Sequence, residues 1–113
     1  WKKNVQAAVP YCKAIQPTAF VIPANTIPDG VERADARAVF KENLKYAADV
    51  IGDVGTKVIV EPLNPAIREN AMLSTCDETM DLLNEINHPN LGLEYDAFHM
   101  YVTEENMEEI VKK

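Results

Sequence analysis

Lys57-Val58-Ile59-Val60-Glu61-Pro62-Leu63-Asn64 is the stretch on which the fold turns. Its β-branched run favours a strand, cut off at a carboxylate that proline follows at once. Leu91-Gly92-Leu93-Glu94-Tyr95-Asp96-Ala97-Phe98-His99-Met100 repeats the grammar. Here a strand expected over residues 91–96 delivers an acid at its C-terminal end, and a histidine follows three residues later. Between the two, Thr75-Cys76-Asp77-Glu78 reads as a capping box, with the Thr75 hydroxyl taking a backbone N–H and Glu78 reaching back. The helix it opens puts Thr79, Leu82, Leu83 and Ile86 on one face and gives way at His88-Pro89-Asn90.

Upstream, residues 18–22 form an apolar run suited to a buried strand. Pro23 ends it, and residues 23–30 have the Pro, Asn and Asp-Gly composition of a loop. The clearest helix runs from Glu32 to about Ile51, with Val39, Phe40, Asn43, Leu44, Ala47, Val50 and Ile51 on one stripe and Gly52 and Gly55 as stop signals. Residues 1–16 carry Val5, Ala8, Val9, Cys12 and Ile15 at helical spacing. Pro10 falls inside that pattern, so this helix is kinked there or starts near it. Downstream, Thr103 reads as the N-cap of a final helix with Glu104 and Glu105 in its first turn and Met107, Ile110 and Val111 inward.

The order α-β-α-β-α-β-α implies an α/β protein with parallel strands and helical crossovers. Nearly continuous apolar strands point to a sheet covered on both faces. Three strands do not close a barrel, so the chain is an open three-layer sheet or a slice of a (β/α)₈ barrel. No GxGxxG or GxxxxGK[ST] follows any strand, which removes the usual nucleotide-binding reasons for the open sheet.

The 113 residues amount to one domain or part of a larger one. The chain starts at Trp1 and ends on a running helical pattern at Lys113. Residues 1–113 are accordingly expected to be a single segment of a domain, truncated at both ends. A formal net charge of −7 makes nucleic acid a poor partner. No run approaches the roughly 18 apolar residues of a membrane span. Cys12 and Cys76 form no CxxC, and two reduced, buried thiols suit a cytoplasmic enzyme.

In a barrel, catalytic groups come from the C-terminal ends of several strands. Glu61 and Asp96 hold that place on consecutive parallel strands and so point into one mouth. Two such carboxylates repel unless a cation or a proton sits between them. Oxygen-rich ligation favours Mg²⁺ or Mn²⁺ over a thiolate-bound zinc, and Cys76, at a helix start, is not placed to join them. Glu94 is expected on the far face, bonded to a helix or solvent, and His88 in its turn is expected to be structural. The joint placement of Glu61, Asp96 and His99 is what separates them from ordinary strand-end acids and histidines.

Val60-Glu61-Pro62-Leu63-Asn64 followed by Tyr95-Asp96-Ala97-Phe98-His99-Met100 resembles the xylose isomerase-like TIM-barrel superfamily. Within it, the likeness is to sugar isomerases and epimerases of the tagatose/psicose 3-epimerase type and to hydroxypyruvate isomerase. The resemblance implies a piece of a (β/α)₈ barrel covering about its fourth to sixth strands. By position, Glu61 resembles the family's metal-binding and acid/base glutamate, Asp96 its aspartate ligand, and His99 the histidine that contacts substrate oxygens. Glu69 follows Arg68 at a shortened spacing where the family often has a substrate-binding glutamate. The other ligands and the partner glutamate are expected beyond Lys113, which would leave this piece alone inactive.

The implied chemistry is proton transfer next to a carbonyl through an enediolate, assisted by Mn²⁺ or Mg²⁺, with Co²⁺ a further candidate. The implied substrate is a small sugar or hydroxy-keto acid, and the full-length protein is expected to form a homo-oligomer. The leading reading is a ketose 3-epimerase or aldose–ketose isomerase. Phe98-His99-Met100 with Glu104-Glu105 leans that way, whereas the Pro65-bearing loop leans towards hydroxypyruvate isomerase. An apurinic endonuclease of the endonuclease IV type shares the barrel and a D-x-x-H element but needs a basic surface and more histidines. A non-catalytic fragment is the remaining alternative.

Overall fold

The structure, a computed structural model, describes residues 1–103 and 107–112. Its elements are α1 (Lys2–Ile15), β1 (Ala19–Pro23), α2 (Arg33–Gly52), β2 (Lys57–Glu61), α3 (Cys76–Ile86), β3 (Leu91–Leu93), α4 (Ala97–Thr103) and α5 (Met107–Lys112). The strands form one parallel sheet in the order β1-β2-β3, with Pro23 opposite Glu61 and Val60 opposite Leu93. Parallel neighbours need crossover connections, and α2 and α3 supply them.

Alternation along the strands sends Ile22, Val58, Val60 and Leu91 into a core shared with Phe40, Leu44, Ala47, Ala48 and Ile51 of α2 and Leu82 and Leu83 of α3. The opposite face is not covered as the apolar runs suggest: Val21 is 42% exposed and Ile59 half-buried. A sheet helix-packed on one side only is what a barrel wall looks like, since the inner face of a barrel is filled by its other strands. Val39 of the expected α2 stripe is also exposed, and Ala36 and Ala48 take its place in the core. Ile15, the last residue of α1, is exposed as well.

Local signals set the boundaries. Pro10 sits within a continuous α1, on its exposed side. Gln16 ends the helix in the left-handed region at φ 48°, its N–H bonded to the Cys12 carbonyl. Thr75 caps α3 by accepting the Glu78 N–H at 3.2 Å. The Glu78 carboxylate returns to the Ser74 N–H, one residue before the cap, at 2.9 Å. Replacing Thr75 by Ala is expected to cost about 0.5–2 kcal/mol, the usual range for a lost hydroxyl cap, readable by denaturant unfolding. His88 has the structural place expected of it. Its Nδ1 accepts from the Asn90 N–H, its Nε2 lies 3.2 Å from Asp49 Oδ1, and the Asn90 amide ties the carbonyls of Ala48 and Thr56 together.

Two expected element boundaries need correction. β3 stops at Leu93 rather than reaching residue 96. The Glu94 N–H still bonds the Val60 carbonyl at 2.8 Å. The next ladder bond would have to come from an N–H at position 62, and Pro62 has none. Thr103 is also not the N-cap of a final helix. It is the last residue of α4, because that helix starts six residues earlier, directly after Asp96. Glu104 and Glu105 lie outside the described residues, as does the side chain of Met107.

Candidate metal and proton-transfer site

Glu61 is the last residue of β2, and its position is overdetermined. Its carbonyl accepts the Ala24 N–H from the neighbouring strand end at 2.8 Å. The chain then leaves the sheet at Pro62 and is held by the Leu63 N–H bonded to the Leu73 carbonyl. The loops after β1 and β2 are joined by a bridge between Thr26 and Ala71. Arg33 fastens that junction by donating to the Met72 carbonyl at 3.0 Å. Strand end and rim loops thus form one rigid support.

Asp96 serves two structures at once. One carboxylate oxygen accepts the Phe98 N–H at 2.8 Å, and its carbonyl accepts the Met100 N–H at 2.9 Å, which makes it the residue that starts α4. His99 lies in the first turn of that helix, with Nδ1 accepting the Asn64 N–H at 3.2 Å and Nε2 3.6 Å from Glu61 Oε1. The side chains of His99 and Glu61 are only 13% and 15% exposed, enough for a small ligand to reach and too little for free hydration.

Glu61, Asp96 and His99 therefore come together, each offering one ligand atom within 4.8 Å of the others. Glu69 does not join them and sits exposed in the loop after β2. Cys76 stays apart too, buried with its Sγ 3.4 Å from the Met100 Sδ.

Glu94 was expected on the far face, and this is a correction. Its charge acts on Glu61, and its Oε2 is buried without a hydrogen-bond partner among the described residues. The register explains the placement. Val60 pairs with Leu93, so Glu94 is the next neighbour of Glu61, and residues in register on parallel strands face the same way. Glu94 and Asp96, two apart on extended backbone, also share a face. The two-residue spacing was present in the sequence; the register was not.

Electrostatics follows from this crowding. Burial pushes the Glu61 carboxyl above its ordinary 4.5, the charges of Glu94 and Asp96 push it further, and His99 opposes them. Among the described residues no lysine or arginine forms an ion pair with Glu61, Glu94 or Asp96. A partly buried cluster of uncompensated carboxylates with an orphaned carboxylate oxygen fits a divalent cation.

A raised carboxyl pKa means that the folded, metal-free protein binds more protons than the unfolded chain. Its stability is therefore expected to fall as pH rises from about 4.5 through the raised value. Glu85, held at about 2 by hydrogen bonds from Arg37 and Lys41, has completed its opposite contribution below that window. Thermal melts of chelated wild type and Glu61→Gln across the window check this: the downward slope should flatten in the variant.

Comparison with known proteins adds four findings. The model of a family described as xylose isomerase-like TIM barrel matches residues 2–113. The 2-oxo-tetronate isomerase of Pectobacterium atrosepticum is 24% identical over 110 residues, covering 97% of this chain and 42% of that protein. A Homo sapiens protein provisionally named hydroxypyruvate isomerase is 30% identical over 112 residues, covering 95% and 40%. Among solved structures, one titled AP endonuclease, family 2, from Brucella melitensis superposes with a TM-score of 0.90 at 26% identity, covering 98% of this chain and 43% of that one. The chain thus spans about two-fifths of the length of the curated relatives it matches.

Proposed function

The chain belongs to the xylose isomerase-like TIM-barrel family, and from that premise we propose that the full-length protein is a metal-dependent isomerase acting on a small hydroxy-carbonyl substrate. The observation that carries the reading is the gathering of Glu61, Asp96 and His99 at the ends of adjacent parallel strands. Glu61 and Asp96 would hold the cation. A divalent ion bound there supplies Lewis acidity that makes a C–H beside a carbonyl more acidic. Glu61 takes that proton as the general base. His99 donates to a substrate oxygen and orients it. Return of the proton to the neighbouring carbon gives isomerisation, and return to the opposite face of the same carbon gives epimerisation.

The motifs alone lean towards a sugar epimerase. The curated relatives favour the hydroxy-keto acid side, since those named are hydroxypyruvate and 2-oxo-tetronate isomerases, and we place the substrate there. The name of the Brucella structure raises an AP endonuclease reading. The −7 charge opposes it, because phosphodiester binding rests on basic contacts. The test is incubation of the Mn²⁺-loaded full-length protein in D₂O with hydroxypyruvate, a 2-oxo-tetronate or a ketohexose. Deuterium should enter beside the carbonyl as product forms, and a chelator should stop it. Turnover that survives chelation would overturn the metal, and no turnover of any of the three would overturn the substrate class.

A further inference from the structure

We propose that Asn64 is a positioning residue: its side chain folds the turn that aims its own backbone N–H at His99 Nδ1, and this keeps the His99 proton on Nε2, facing the reacting centre. Its effect on catalysis rests on the isomerase reading above, whereas the lock itself does not.

Asn64 is a polar residue only 2% exposed, and its side-chain oxygen, carbonyl and backbone N–H all carry hydrogen bonds. Oδ1 accepts the Ala66 N–H at 2.8 Å, the side-chain-to-backbone bond of an Asx turn. Its carbonyl accepts the N–H groups of Ile67 and Arg68 at 3.1 and 3.0 Å. Pro65, with φ fixed by its ring, stiffens the same turn. What remains is the Asn64 N–H, and it points at His99 Nδ1 at 3.2 Å.

A backbone N–H can only donate. His99 Nδ1 must therefore present its lone pair, and a neutral imidazole has one proton, so the proton is on Nε2. Nε2 is 3.6 Å from Glu61 Oε1, beyond a good hydrogen bond, so Glu61 does not consume that proton. It is available to an oxygen placed between them. The same logic removes His99 from the cation's ligands: Nε2 has no lone pair to give, and Nδ1 has already given its own. Of the three groups within 4.8 Å, two carboxylates are left as ligands and one N–H as a substrate donor. The loop after β2 thus decides what the histidine on α4 can do.

The experiment is nitrogen-15 NMR of the imidazoles in the full-length protein, with the His99 signals identified by their loss in His99→Gln, beside steady-state kinetics. Wild type should show His99 as a single Nε2–H tautomer. Asn64→Ala loses the turn acceptor and should give a mixture of tautomers. Its kcat/KM should fall roughly 10- to 100-fold, the range for losing a partner that orients a histidine at a metal site. Asn64→Ser, which can rebuild the turn more weakly, should restore part of both. An Nδ1–H tautomer in wild type would overturn the lock whether or not the protein proves to be an isomerase. So would an Asn64→Ala protein whose tautomer is unchanged. If Asn64→Ala does not fold, the wild-type tautomer and the Asn64→Ser protein still decide.

Discussion

Glu61→Gln in the full-length protein is expected to abolish exchange of solvent protons into substrate, a loss of at least the roughly 10²–10⁴-fold that a positioned acid–base group contributes. The substitution is nearly isosteric and leaves the backbone of residue 61 unchanged. The amide keeps the shape of the side chain, but its oxygen cannot accept a proton at neutral pH. The substitution also removes one negative charge of the proposed cation site, so metal affinity is expected to fall with it. Measuring exchange at saturating Mn²⁺ separates the two effects: a rate restored by excess metal would make Glu61 a ligand only. A variant that keeps exchanging at the wild-type rate would overturn the assignment of Glu61 as the base.

This is a demanding expectation because Glu61 works among like charges. Glu94 lies beside it with one buried oxygen unbonded among the described residues, and the pair raises the energy of the ionised, cation-free site. Such a site is stable when something positive arrives and strained when nothing does, which is how a binding centre differs from a structural ion pair. The surface trio of Arg37, Lys41 and Glu85 shows the contrast. There the carboxylate is pulled down to about 2 by partners already present, and no ligand is called for.

β2 was legible in the sequence to the residue. A β-branched run ended by a carboxylate and a proline leaves few ways to pair, and the observed strand is Lys57–Glu61. β3 was not legible in length, because its end is set by Pro62 on its neighbour rather than by anything within residues 91–96. Glu94 was misassigned by reading one strand alone, although the register against β2 puts it beside Glu61. Asp96 was visible as a strand-end acid but not as a helix cap, since Thr103 with two acids after it is the stronger local signal. Asn64 stood in the motif from the start. Its work, however, passes through a backbone N–H to a side chain 35 positions away, and no local pattern in the sequence marks such a contact.

The double duty of Asp96 yields the second large effect. Asp96→Asn keeps an oxygen for the Phe98 N–H, and asparagine caps helices as well as aspartate does, so α4 and the His99 it carries should stay in place. The negative charge facing Glu61 is gone, and Mn²⁺ affinity is expected to fall by more than about 100-fold, above the range for losing only an outer partner of a metal ligand. Asp96→Ala removes the charge and the cap together. It should bind metal equally poorly and also lose about 1 kcal/mol of stability as the start of α4 frays, leaving His99 held from the Asn64 side alone. Titration calorimetry with Mn²⁺ and denaturant unfolding on both variants divide the outcomes. Equal metal loss with unequal stability supports a carboxylate that binds the cation with one oxygen and the helix with the other. Wild-type metal affinity in Asp96→Asn would leave Asp96 as a cap and nothing more.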